Sequence, residues 1–152
     1  MTASHLDGVI RDGRHHMQIR VYYEDTDFSG VVYHASYLRF LERGRTEFLR
    51  ALGIAHRGVF AGGGSNGFHF VARAMTIEFL KPALMDDELC VETHPSATRG
   101  ASIDMMQKIR RGGEVLLTAK VRIAVVAGGK AKRIPAGILA KLKASTVAGP
   151  RV

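Results

Sequence analysis

The spacing of apolar residues changes along the chain and divides it into predicted elements. Apolar and polar residues alternate from Met17 to Tyr23, which predicts a β-strand. From His34 to Leu52 the spacing becomes three and four residues, as on one face of a helix. That face consists of Tyr37, Phe40, Leu41, Phe48, Leu49 and Leu52. Gly53 is a typical helix stop. Gly44, inside the helix, costs ~1 kcal/mol relative to alanine and is plausible where a helix approaches a sheet closely.

Alternating apolar positions return after the helix and predict four more strands. These strands begin near Val71, Leu89, Ala101 and Val115. Gly112 and Gly113 predict a tight hairpin between the last two strands, and Pro135 starts a short C-terminal helix. One long helix against one antiparallel sheet buries the apolar faces of both, so we expect an α+β fold with five strands. Periodicity alone does not separate this arrangement from other α+β folds.

A chain of 152 residues with 46% hydrophobic residues is most simply one domain with a sizeable core. We place that domain at residues 17–145, after a flexible N-terminal arm at 1–16 and before a loose tail at 146–152. The glycine-rich stretch Ala61 to Gly67 is a loop by composition. It is interpreted as a mobile connector, with a lid over an acyl tunnel as the alternative.

The charge balance is basic, with 22 Lys and Arg against 14 Asp and Glu, a net charge of +8. Such a balance favours an anionic partner: nucleic acid, an anionic membrane surface or a phosphorylated ligand. The sequence has no zinc-finger spacing and no aromatic RNA-binding signature, which argues against nucleic acid. No apolar run approaches the ~20 residues of a membrane span, and residues 1–16 contain no hydrophobic signal core. The single cysteine, Cys90, is expected to be a buried structural thiol in a reducing cytosol.

Two aspartates, Asp25 and Asp27, lie between the first strand and the long helix. The first turn of a helix has unpaired N–H groups and the positive end of the helix dipole. Hydrolysis of an acyl group requires a carboxylate to activate water and such donors to hold the oxyanion. The two acids need not share one site. We assign Asp25 to hydrogen bonding within the loop.

The segment from Tyr23 to Tyr37 reads Y-E-D-T-D-F-S-G-V-V-Y-H-A-S-Y, and the matching pattern continues through Glu42-Arg43 and Arg45-Thr46-Glu47. It resembles the active-site motif of hotdog-fold acyl-CoA thioesterases of the 4-hydroxybenzoyl-CoA thioesterase superfamily, and most closely their Tol–Pal-associated members. Weaker similarity extends over residues 17–135. Phe28-Ser29 departs from the pattern, since relatives often have smaller residues there. The resemblance implies a hotdog fold, with a five-stranded antiparallel sheet wrapped around a long central helix.

The resemblance also implies roles for residues of this motif. Asp27 occupies the position of the family's acid, and would act as general base on water or as a nucleophile that forms a mixed anhydride. The backbone N–H of His34 would stabilise the oxyanion. The side chain of His34 would contact the water or substrate, or only help to terminate the helix. Tyr23 is a candidate for lining the pocket and for a hydrogen bond near Asp27, although core packing is the preferred interpretation. Glu42 and Glu47 are interpreted as partners in ion pairs with nearby arginines.

Three cations are candidates for binding the phosphates of coenzyme A. Arg99 lies at a predicted turn, and Lys132 and Arg133 precede the C-terminal helix. An arginine can make a bidentate contact with a phosphate. Solvated surface charge is the alternative for each of them. No metal and no separate cofactor are expected, because coenzyme A is part of the substrate.

The expected function is therefore that of a cytoplasmic acyl-CoA thioesterase, with acyl carrier protein thioesters as further substrates. The alternatives are a hotdog hydratase or dehydratase, and a non-catalytic acyl-binding protein at the inner membrane face. Peripheral contact with the inner membrane is a further expectation. The resemblance implies a homotetramer built as a dimer of dimers, with active sites at the dimer interface.

Overall fold

A computed structural model describes residues 5–54 and 67–145 of the chain. The tail at 146–152 and most of the glycine-rich loop, residues 61–66, lie outside these described residues. The strands are β1 (Val9–Arg11), β2 (Arg14–Arg20), β3 (His69–Phe79), β4 (Glu88–Arg99), β5 (Ser102–Arg111), β6 (Glu114–Ala127) and β7 (Lys130–Ala131). The α-helices are α1 (His34–Ala51) and α2 (Ala136–Ser145), and short 3-10 turns cover His5–Asp7 and Tyr23–Asp25.

All strand pairs are antiparallel, and the main order across the sheet is β1-β2-β4-β5-β6-β3, with β7 paired to β6. The described sheet thus has seven strands, and the expected number of five is wrong. The two additional strands, β1 and β7, have three and two residues. Such short strands produce no run of alternating apolar residues that a sequence pattern can detect. The long helix against one antiparallel sheet confirms the α+β class.

The N-terminal part of the chain differs from the expected arm. Residues 9–20 form a hairpin that turns at Asp12 and Gly13, both with positive φ angles of 52° and 76°. The expected strand from Met17 to Tyr23 is displaced toward the N-terminus, because β2 ends at Arg20. Tyr23 then lies in a 3-10 turn with 78% of its surface exposed, so the expectation of core packing is wrong.

The long helix α1 follows its expected bounds to within one residue and packs on one face of the sheet. Gly44 is buried at the point of closest approach. A Cβ atom added there would lie 2.6 Å from Val91 Cγ1 and 3.0 Å from Thr93 Oγ1. The expectation that Gly44 allows a close approach between helix and sheet is confirmed.

The buried face of α1 is also linked to the sheet by side-chain hydrogen bonds. Gln107 on β5 donates to the backbone oxygen of Leu41 (2.9 Å) and to Thr93 Oγ1 (3.0 Å), and accepts from Arg45 (3.1 Å). Burial lowers the pKa of Arg45. Gln107 thus satisfies polar groups that would otherwise be unpaired in the core.

The C-terminus of α1 is capped by its own backbone. Gly53 has a φ of +84° and its N–H donates to the oxygen of Arg50, while the N–H of Ile54 donates to that of Leu49. These two bonds define a Schellman motif, which satisfies carbonyls that have no partner inside the helix. Ile54 and Leu49 are both buried in the core. In the described residues, no helix is long and apolar enough to cross a membrane.

Candidate active site

The loop between the first 3-10 turn and α1 is a small hairpin. Thr26 and Val32 form an isolated antiparallel bridge. The N–H of Asp27 donates to the oxygen of Val31 (2.9 Å), and the N–H of Gly30 donates back to the oxygen of Asp27 (3.1 Å). Gly30 has a φ of +87°, which favours glycine at this position. The backbone around Asp27 is therefore fixed by hydrogen bonds on both sides.

The segment between β3 and β4 is hydrogen-bonded to this loop. The N–H of Val32 donates to the oxygen of Ala83, and the N–H of Met85 donates to the oxygen of Gly30. Tyr37 on α1 adds a third link, because its hydroxyl accepts the N–H of Ala83 (2.9 Å). Burial raises the pKa of Tyr37, so its phenol stays neutral. The loop, the start of α1 and residues 83–85 form one connected unit.

The two aspartates of the loop have different surroundings. Asp25 is buried, and its Oδ2 accepts the backbone N–H of Tyr22 (2.8 Å). Its assignment to loop hydrogen bonding is confirmed. Asp27 is partly exposed, and its Oδ1 accepts both the N–H (2.8 Å) and the hydroxyl of Ser29 (2.5 Å). The hydroxyl and N–H of Ser29 lower the pKa of Asp27, and the nearby His34 lowers it further. Asp27 is therefore ionised at neutral pH.

The N-terminus of α1 has no side-chain cap. Tyr33 is the N-cap residue, with an extended backbone, and its side chain accepts no hydrogen bond from the helix. His34 is the first helical residue, and its N–H points out of the helix because no preceding turn exists to accept it. This N–H and the helix dipole are available to an anionic or partly anionic ligand.

A groove with a volume of about 230 Å³ opens at this uncapped end. It is lined by Val31, Val32, His34, Tyr37, Phe79, Leu80, Lys81 and Pro82. The ring of Phe79 lies 4.8 Å from the ring of His34 and 5.7 Å from that of Tyr37, between their centroids. Asp27 does not line the groove itself, but it is hydrogen-bonded to Val31, which does. Most of the lining is apolar, with His34 and Lys81 as the polar exceptions, and the groove meets the free helix end at His34.

Comparisons with known proteins identify the family of the chain. Residues 21–142 match the model of the thioesterase-like superfamily. The chain belongs to that superfamily. An acyl-CoA thioesterase of Haemophilus influenzae is 42% identical over 76% of this chain and 83% of its own. An acyl-CoA thioester hydrolase of Escherichia coli is 41% identical over 82% of this chain and 92% of its own. These relatives confirm the resemblance seen in the motif.

Solved structures extend the comparison to the fold. A probable thioesterase from Bartonella henselae has 47% sequence identity and a TM-score of 0.77, over 80% of this chain and 99% of its own. A 1,4-dihydroxy-2-naphthoyl-CoA thioesterase from Synechocystis has 19% identity and a TM-score of 0.78, over 86% and 96% of the two chains. The second likeness concerns the fold alone. The hotdog arrangement inferred from the motif is therefore confirmed.

Within this thioesterase fold, the candidate cations for coenzyme A lie far from the groove of their own chain. The strand register aligns Arg99 on β4 with Ser102 on β5, Ala124 on β6 and Val71 on β3. Phe79 is eight residues further along β3, which at ~3.3 Å per residue is about 25 Å away. The structure thus places Arg99 at the opposite end of the strands from the groove.

Lys132 and Arg133 lie at the same end as Arg99. The N–H of Lys132 donates to the oxygen of Val125, and its Nζ lies 5.4 Å from the centre of the Phe68 ring. Arg133 is exposed. Arg99 is already engaged by Asp104, at 3.0 Å. Of the three, Lys132 and Arg133 form no ion pair within the described residues.

The remaining candidates are also placed away from the groove. Tyr23 is exposed and does not line it. Glu47 pairs with Arg50 at 3.1 Å, as expected, while Glu42 is exposed on α1. Phe79 to Pro82 line the groove, and no local sequence signal marks them as a site. The sequence marks Ser29 only as a departure from the family pattern.

Proposed function

We propose that the protein hydrolyses the thioester of acyl-CoA, and in the same way that of acyl carrier protein, to a free acid and a thiol. The observation that supports this most directly is the uncapped N-terminus of α1, which opens on a largely apolar groove beside an ionised aspartate. The acyl group would occupy the groove, with its carbonyl oxygen toward the N–H of His34. No cofactor is required, because coenzyme A enters as part of the substrate.

In the general-base route, a water attacks the thioester carbon while Asp27 accepts its proton. The oxyanion is held by the N–H of His34, and one such donor is worth ~10²–10³ in rate. Collapse of the intermediate breaks the C–S bond, and the thiolate leaves and takes up a proton. In the nucleophilic route, the Asp27 carboxylate attacks the same carbon, the C–S bond breaks and the thiolate leaves and takes up a proton. Water then hydrolyses the resulting mixed anhydride to the free acid and the Asp27 carboxylate.

Asp27→Asn tests the proposal. Loss of a general base typically costs 10²–10⁴ in rate, so we expect kcat to fall by about that factor with the fold intact. The measurement is thiol release from a panel of short, long and aromatic acyl-CoA esters, with circular dichroism to verify folding. Asp12→Asn is the matched control, because Asp12 is an exposed turn aspartate remote from the groove.

Retained kcat in the Asp27→Asn variant would contradict the assignment of Asp27. No thiol release from any ester by the wild-type protein would favour the hydratase or dehydratase alternative. A single turnover in ¹⁸O-water separates the two hydrolytic routes. Only the anhydride route, with water attacking the aspartyl carbonyl, places the label in Asp27.

We further propose that the active unit is at least a dimer that pairs along β3. This strand is the edge of the described sheet, has eleven residues and is largely exposed. Such an edge, here considered from Val71 to Phe79, presents a row of backbone groups that a second strand can satisfy. A two-fold axis makes that pairing antiparallel. The start of one β3 then lies beside the end of the other.

This pairing would complete the site with cations from the second copy. Lys132 lies over Phe68 at the start of β3, whereas Phe79 and His34 lie at its end. Antiparallel pairing brings these ends together across the axis, so Lys132 and Arg133 of one copy approach the groove of the other. Arg99 would contribute less, because its guanidinium already binds Asp104. A second pairing of such dimers would give the homotetramer.

Mixed assemblies test this arrangement. The double variant Lys132→Ala/Arg133→Ala should raise KM by roughly tenfold or more, since each charge-assisted contact is worth ~1.5–3 kcal/mol. Its kcat should be unchanged. Coexpression of this variant with Asp27→Asn should restore low-KM activity to part of the population, because one of two sites then has both an intact aspartate and intact cations.

Mixed assemblies with no more low-KM activity than either parent would contradict the shared site. Light scattering during size-exclusion chromatography measures the size of the assembly. A monomer that is fully active at assay concentration would contradict the pairing along β3.

A further inference from the structure

The contacts of Ser29 single it out within the active-site loop. Its hydroxyl and its backbone N–H both donate to the same oxygen, Oδ1 of Asp27, at 2.5 and 2.8 Å. Neither bond uses Oδ2. Among the described residues, no hydrogen bond to Oδ2 is found. The two carboxylate oxygens are therefore in different environments, with one held and the other open.

The backbone leaves the carboxylate little other freedom. The N–H and the oxygen of Asp27 are both used, by Val31 and Gly30. With the main chain fixed in this way, the orientation of the side chain depends on its χ angles, and the two donors of Ser29 restrict them. Misplacing a reacting group by ~1 Å can cost 10²-fold in rate, so a fixed carboxylate has a kinetic value.

We infer that Ser29 is the positioning residue of the Asp27 carboxylate: it fixes Oδ1 and leaves Oδ2 to accept the proton of the attacking water or to attack the thioester carbon. This inference rests on the proposed catalytic role of Asp27. Ser29 itself does not touch the substrate and acts only through Asp27.

The hydroxyl has a second, measurable consequence. Its hydrogen bond is the largest cause of the lowered pKa of Asp27. Asp27 works only when ionised, so activity should fall on the acid side as pH drops through that pKa. Removal of the hydroxyl raises the pKa, and the acid limb of the kcat/KM profile should then move to higher pH.

The experiment compares Ser29→Ala, Ser29→Thr and Thr26→Val. Ser29→Ala should lower kcat by roughly tenfold or more with KM unchanged, and shift the acid limb upward. Ser29→Thr retains a hydroxyl and should restore both values. Thr26→Val is the matched control: it removes a hydroxyl from the same loop, but that hydroxyl donates to the oxygen of Tyr23 (2.7 Å) and not to Asp27.

Two outcomes would overturn the inference. One is a Ser29→Ala variant with unchanged kcat and an unchanged acid limb. The other is a Ser29→Thr variant as impaired as Ser29→Ala, since the hydroxyl would then not be the relevant group. A hydroxyl that only stabilises the turn would change the free energy of unfolding and leave the pH profile in place.

A carboxyl ¹³C NMR titration of Asp27 separates this inference from the proposed function. The titration reads the pKa directly and does not depend on activity. If Ser29→Ala raises that pKa while Asp27→Asn keeps its kcat, Ser29 holds the carboxylate but Asp27 is not catalytic. If Asp27→Asn is inactive and Ser29→Ala titrates as the wild type, only the role of Ser29 fails.

Discussion

The two ends of α1 differ in whether their terminal backbone groups have hydrogen-bond partners. At the C-terminus, Gly53 and Ile54 satisfy the last carbonyls in a Schellman motif, and the adjoining half of the helix is buried. At the N-terminus, Tyr33 provides no side-chain cap, and His34 is exposed beside a groove. A helix cap is worth ~0.5–2 kcal/mol, so the open end gives up stability that a serine or aspartate would supply.

This difference agrees with the proposed location of the site. Unsatisfied backbone donors are costly in a buried position but useful where a ligand can accept them. We therefore propose that the same helix provides rigidity at one end and a binding site at the other. Substitutions can alter each end separately. We expect those at the N-terminus to change kcat, and those at the C-terminus to change only the free energy of unfolding.

The largest effect is expected from adding a cap to the open end. Tyr33→Asp would place a carboxylate where the oxyanion forms, and we expect kcat to fall by ~10²–10³, the value of an oxyanion donor. The free energy of unfolding should rise by ~0.5–2 kcal/mol, because aspartate is a good N-cap and favours the helix dipole. Steady-state kinetics and denaturant unfolding measure the two changes.

Tyr33→Asn is the control for the charge of this cap. It should stabilise the helix similarly and reduce kcat less, because no negative charge repels the oxyanion. If both caps stabilise the protein with kcat unchanged, the oxyanion is not held at this helix end.

An intermediate effect is expected at Gly44. Alanine would gain ~1 kcal/mol of helix propensity, but its Cβ would lie 2.6 Å from Val91 Cγ1, and overpacking a core costs typically ~1–3 kcal/mol. We expect Gly44→Ala to destabilise the protein, with kcat unchanged in the folded fraction. Urea unfolding provides the measurement.

A double-mutant cycle with Val91→Ala verifies the cause. In that background the methyl group added at position 44 has space, so Gly44→Ala should become neutral or stabilising. Equal destabilisation in both backgrounds would exclude Val91 as the source of the clash.

The smallest effect is expected at the capped end. Gly53 has a φ of +84°, and an L-residue in the left-handed region costs ~1–2 kcal/mol. Gly53→Ala should therefore lower the free energy of unfolding by ~1 kcal/mol, and Gly53→Asn by less, because asparagine tolerates this conformation. Neither should alter kcat or KM. A change in KM would link this end of the helix to the groove.

The sequence predicted the elements whose signals are local. The period of α1 and the stop at Gly53 located the helix to within a residue, and Gly44 indicated a close contact with the sheet. The motif identified Asp27 and His34 as the centre of the candidate site. Asp25 and Asp27 are two residues apart and would share a face of an extended chain, so alternation does not separate them. The 3-10 turn at Tyr23–Asp25 does, because it buries Asp25 against the N–H of Tyr22.

Features that depend on distant contacts were not predictable in the same way. The ring of Phe79 contacts that of His34 because the end of β3 lies beside the start of α1, and no spacing in the sequence indicates that contact. Tyr23 continued the alternation of the first strand, but the bond from the N–H of Tyr22 to Asp25 turns the chain outward. Ser29 could have been found from its position two residues after an aspartate, a spacing typical of side-chain bonds within turns.

The hydrogen bonds between residues 83–85 and the active-site loop have a practical consequence for engineering. Because Ala83 and Met85 bond to Val32 and Gly30, an insertion between β3 and β4 would displace the loop and abolish turnover. The turn at Asp12 and Gly13 lies at the other margin of the sheet from β3. A fluorophore or affinity peptide inserted there would leave the chemistry undisturbed.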